Sequence, residues 1–128
     1  MRLSRDRFEQ LAFAAADEIL ARLAPELRAE AEQVILEIEE WPTPEQIESF
    51  DLKPGQTLYG LYHGVPLVER HADSVLLAPD RITLFHGPLQ AAARTEIELR
   101  AQIRRTLIHE LAHHFGRTDD ELIERGAY

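Results

Sequence analysis

An α+β fold is what this sequence predicts, and three observations predict it. One stretch near the beginning and another near the end carry apolar residues at helical spacing. Between them lie about three to four short strand-like stretches, bounded by proline or glycine. The chain has 128 residues, 45% of them hydrophobic and 29% charged, enough for one core but not for two. We therefore expect a single domain over residues 1–128.

Ser4 is placed to cap a first helix running to about Leu23, because Phe8, Leu11, Ala12, Ala15, Ile19 and Leu23 fall on one stripe. Ala24-Pro25 ends it, since a residue before proline avoids helical angles, and Pro25 suits the first position of a short helix to about Ala31. Residues 34–39 alternate as a strand with Val34, Leu36 and Ile38 inward. Trp41-Pro42 breaks it, and Trp41 reads as a packing anchor in the core or at its rim. Thr43-Pro44-Glu45-Gln46 is a capping box that opens a short helix to about Phe50.

Lys53-Pro54-Gly55-Gln56 turns the chain into a strand over residues 57–62, where Gly60 signals a bulge or a close backbone approach. His63 and His71 lack metal-ligand spacing and read as surface histidines. Residues 74–78 form a short apolar strand or core loop, and residues 81–85 a clearer strand. His86-Gly87-Pro88 closes that strand and starts a helical turn through Ala93. Thr95-Glu96-Ile97-Glu98 is a second capping box, opening a long helix that ends at Phe115 with a buried stripe of Ile103, Leu107, Ile108, Leu111, Ala112 and Phe115. Thr118 caps a last short helix to about Arg125.

The chemistry is concentrated in the end of the long helix, His109-Glu110-Leu111-Ala112-His113-His114-Phe115-Gly116-Arg117-Thr118-Asp119. His109 and His113 stand four residues apart, one above the other on a helix face, where two imidazoles can share one zinc ion at roughly 2.0–2.1 Å each. Glu110 is turned partly toward the same point and suits a general base acting on water at the metal. Gly116 stands where the helix needs a left-handed residue in order to reverse, and the reversal can return Asp119 as a third ligand. Chance alone yields a His-Glu-x-x-His in about one chain in 30 of this composition, and the longer pattern with Gly116 and Asp119 in about one in 10,000, so the longer pattern carries the inference. Asp119 and Asp120 also read as favourable acids at a helix start, which leaves Asp120 as the alternative third ligand.

The stretch HELAHHFGRTDDEL resembles the signature of the minimal zincin family of bacterial zinc metallopeptidases, His-Glu-x-x-His-x-x-Gly-x-x-Asp. The likeness extends upstream through Leu58-Tyr59-Gly60-Leu61-Tyr62, Gly64-Val65-Pro66-Leu67 and Pro79-Asp80-Arg81-Ile82-Thr83-Leu84-Phe85, and is loose only over about the first 30 residues. The resemblance implies a minimal zincin-like fold, a small mixed β-sheet packed with helices that include the long metal-binding one. It also implies one zinc per chain held by His109, His113 and Asp119, with Glu110 as the catalytic glutamate. By analogy with zincins generally, the strand over residues 81–85 would offer its edge to extended substrate, with His86 at one end of the cleft. Tyr62, His86 and Tyr128 are the candidates for stabilising an oxyanion. A metzincin is excluded, because a third histidine is missing at position 119 and Met1 is the one methionine.

Composition narrows the function further. The absence of cysteine excludes a disulfide framework, a thiolate zinc site and a cysteine nucleophile, and it fits a reducing compartment. The charged start MRLSRDRFEQ is unlike a secretory signal, and no apolar run approaches membrane-spanning length, so a cytoplasmic protein is expected. A net charge of −9 argues against nucleic acid as a partner. The expected activity is hydrolysis of short peptides or unfolded protein. Its rival is a zinc-binding zincin-like domain, weakly active or inactive, that serves as a protein-binding or regulatory module.

Overall fold

The computed structural model describes residues 2–50, 57–64 and 79–124. Among these residues six helices and three strands follow one another as α1 (Arg5–Arg22), α2 (Pro25–Ala31), β1 (Ile35–Glu39), α3 (Pro44–Glu48), β2 (Gly60–His63), β3 (Arg81–Phe85), α4 (His86–Ala91), α5 (Glu96–Phe115) and α6 (Asp119–Leu122). The architecture is α+β: helices packed with a mixed three-stranded sheet of order β1-β3-β2, β1 parallel and β2 antiparallel to β3. No helix among the described residues is long and apolar enough to cross a membrane.

Local chemistry sets most helix ends. The Ser4 side chain accepts from Arg7 N–H, Thr43 and Gln46 form a complete capping box, and Thr118 and Glu121 form another. At α5 the box is only half made. Thr95 accepts from Glu98 N–H, but the Glu98 carboxylate takes Arg94 N–H at 2.7 Å instead of Thr95 N–H. Gly116 ends α5 at φ 66° and ψ 35°, a left-handed conformation that is strained for a residue with a Cβ. Arg117 N–H then reaches back to Ala112 C=O at 2.9 Å, and the chain reverses toward α6.

The core lies where α1 and α5 stack on each other and on the sheet. Phe8, Ile19, Leu84, Leu89, Leu99, Ile103 and Ile108 are among its large, fully buried members, and every residue of the expected α1 and α5 stripes is buried. Gly60 is a point of close approach. A Cβ there would stand 2.7 Å from Thr106 Cγ2, so glycine is what lets β2 lie directly against α5.

Three expectations change. The strand at residues 81–85 is the central strand, paired on both sides, so it has no edge to offer; the edge beside α5 belongs to β2. Its run Ile82–Phe85 is buried on both faces, as a central strand requires. The expectation for Trp41 narrows from core or rim to the rim, since it is 60% exposed and packs its ring over Gly87, where a Cβ would meet it at 2.3 Å. His86 is buried away from the cleft, its ring 4.6 Å from Phe8 and its nitrogens facing Glu40 and Gln90. The turn at residues 53–56, the apolar piece at 74–78, His71 and Tyr128 lie outside the described residues.

Candidate metal centre

A cleft of about 480 Å³ opens between α5 and β2. Helical spacing lines Arg105, His109 and His113 along its α5 wall, Tyr59, Gly60 and Leu61 form the opposite wall, and Asp119 closes one side. His109 and His113 are both exposed to the cleft, while Glu110, 9% exposed, lies at its floor. The reversal at Gly116 brings Asp119 against His109, with Nδ1 at 3.0 Å from Oδ1 and 3.1 Å from Oδ2. The His113 ring rests against Tyr62, centroids 5.0 Å apart at 48°. Asp120 is exposed in the first turn of α6 and does not line the cleft.

Burial pushes the Glu110 carboxyl above its ordinary value, against the pull of His109 and His113. A hydrogen bond from Tyr62 N–H also favours its charged form, and Asp119 adds a smaller upward push. That hydrogen bond follows from strand register. Phe85 N–H donates to Tyr59 C=O, so residues 59 and 61 make the mutually bonded pairs with β3, and the N–H of Tyr62 is turned outward toward α5.

Beneath the cleft is a buried polar cluster for which local sequence patterns offer no rule. Asp80 Oδ2 lies 2.7 Å from Tyr62 Oη and 2.7 Å from His114 Nδ1, with Asp80, His114 and Tyr62 all at most 7% exposed. The phenol O–H and the imidazole Nδ1–H both point at one carboxylate, which fixes the His114 tautomer. One signal was available: His114 is one residue, about 100°, round the helix from His113, and so falls among buried positions where an imidazole needs a partner. Tyr62 links this cluster to the cleft, because its ring touches His113 and its N–H reaches Glu110. The cluster also engages the Tyr62 hydroxyl, one candidate for the oxyanion; His86 is elsewhere, and Tyr128 is outside the described residues.

A family model described as zincin-like metallopeptidase matches residues 31–127. The chain belongs to that family. No curated protein matches it. Membership carries metallopeptidase chemistry at the level of the family, and zinc binding in general with it. The donor set of this cleft fits such an ion in kind: two imidazoles on one wall and a carboxylate at its side, borderline and hard donors of the sort zinc takes in catalytic sites. In the arrangement described, His109 and Asp119 face each other, and among the described residues no three such side chains converge on one point. The pairing makes Asp119 and Asp120 distinguishable. Asp119→Ala should weaken zinc binding by at least about tenfold, since even partners of metal ligands are worth that much. Asp120→Ala should cost only a few tenths of a kcal/mol of helix-start stabilisation. Titration with zinc against a competing chelator checks both, and the reverse order would assign the third ligand to Asp120.

Proposed function

We propose that this chain is a zinc-dependent peptidase that hydrolyses peptide bonds in short or unfolded polypeptides, with one zinc per chain held by His109, His113 and Asp119. The observation that carries this reading is the placement of Glu110, a carboxylate at the floor of a cleft lined by both histidines and Asp119. A purely structural site has no use for that group. When bound, zinc supplies a Lewis acid that polarises a carbonyl and acidifies water.

The chain's own residues supply the rest. Glu110, its basicity raised by burial, takes the proton from the attacking water and returns it to the leaving amine. The Tyr62 N–H and the shape of the floor hold the carboxylate in place. Substrate lies along the β2 side of the cleft, in a shallow groove suited to flexible peptides. A cytoplasmic site of action is supported by the absence of cysteine.

Metal loading and turnover measured together test the reading. Purified protein should hold about one zinc per chain and cut a peptide library or an unfolded protein. Chelation should stop the cutting and added zinc restore it. Zinc bound without any turnover would mean a binding or regulatory domain instead. A fully stable protein that refuses zinc would remove the metal site altogether.

A further inference from the structure

Arg105 lies on the cleft wall one helical turn before His109, among the residues that face the proposed peptide site. A helix rises 1.5 Å per residue, so its Cα is about 6 Å along the axis from that of His109. Its guanidinium donates one described hydrogen bond, Nη2 to Gln102 Oε1 at 2.8 Å, and no carboxylate pairs with it among the described residues. Its neighbour Arg104 behaves differently, turning to Glu18 of α1 at 3.0 Å. Arg105 is also the one arginine or lysine among the described residues lining the cleft, whose other ionisable groups are Tyr59, His109, Glu110, His113 and Asp119. On a chain of net charge −9, an anion gains nothing from the overall field and must be recognised by a local cation. A guanidinium presents five N–H donors in a planar fork that matches a carboxylate, and here most of them are unused by the described residues.

We propose that Arg105 binds a carboxylate of the peptide substrate, one or two residues from the bond that is cut. The separation follows from reach, since about 6 Å along the helix spans one to two residues of extended chain at roughly 3.3–3.6 Å each. Two sources carry this chemistry, an Asp or Glu side chain and a free C-terminal carboxylate. The proposal rests on the peptidase reading for what occupies the cleft, and it assigns the preference of that site for acidic peptides.

The test compares two peptide sets with one cleavable bond. In the first, Glu or Gln stands one or two residues from that bond; in the second, the C-terminus is free or amidated. The carboxylate-bearing member should be favoured by about 10–100-fold in kcat/KM, the size of a charge-assisted hydrogen bond, and the set that shows it identifies the source. Arg105→Gln should erase the preference through KM with kcat largely kept, Arg105→Lys should restore part of it, and Arg105→Glu should turn it toward lysine-bearing peptides. Fluorescence anisotropy of the same peptides on zinc-loaded Glu110→Gln protein reads binding without turnover. Acid-selective binding that depends on Arg105 would support the inference even if nothing is cut. Cutting with no acid preference, or a preference unchanged in Arg105→Gln, would overturn it while leaving the peptidase reading intact. Failure of every peptide to bind or be cut would overturn both.

Discussion

Glu110→Gln should lower peptide hydrolysis by a factor of about 100 or more while zinc content and fold are kept, the loss expected when a general base is removed. On the proposed reading Glu110 is not itself a ligand, because His109 and His113 present themselves from adjacent turns of α5. Glutamine keeps the shape and still accepts the hydrogen bond from Tyr62 N–H. What it lacks is the capacity to take a proton. It also lacks the charge that burial disfavours, so zinc-free Glu110→Gln should melt at or above the temperature of the zinc-free parent. Activity assays, zinc analysis and thermal melting on the same preparations separate these effects. Full hydrolysis in the variant would show that another base acts or that a contaminating protease is being measured. A large fall in melting temperature would instead give Glu110 a structural part.

What could be read from the sequence, and what could not, divides along the range of the interactions. The ends of α5 were legible because their causes act within one turn: Thr95 bonds Glu98 N–H, and Gly116 adopts the left-handed angles. The four-residue spacing of His109 and His113 is likewise a local rule, and those residues share a cleft with Glu110 and Asp119. Strand order was not legible, because it depends on pairing between segments far apart in the chain. The parallel register of Ile35 with Arg81 makes residues 81–85 central, and the burial of Ile82–Phe85 on both faces is its consequence. His86 was misplaced for a related reason. Helix α4 begins directly at that residue and directs the ring to Phe8, Glu40 and Gln90. That Arg104 rather than Arg105 is drawn to Glu18 required the packing of α1 on α5.

Asp80→Ala should destabilise the fold by about 3–5 kcal/mol, because two buried donors lose the acceptor they share. The carboxylate is 5% exposed and receives both the Tyr62 hydroxyl and His114 Nδ1 at 2.7 Å. Alanine leaves both donors buried without that acceptor, at about 1–3 kcal/mol each, which reaches the same total. Set against the roughly 5–15 kcal/mol that holds a domain together, this is a fifth or more of the whole. A fall in melting temperature of about 10 °C or more should follow in a domain of this size. Asp80→Asn retains one acceptor oxygen and should lose distinctly less. In Asp80→Ala combined with His114→Ala the two costs should not add, since both changes break the same His114–Asp80 contact. The consequence reaches the cleft through Tyr62, whose ring touches His113 and whose N–H meets Glu110. Freed from Asp80, Tyr62 holds both less firmly, so Asp80→Ala should bind zinc more weakly even well below its melting temperature. Melting within about 2 °C of the parent would show that His114 and Tyr62 find other partners, and the cluster would then have no claim to brace the site.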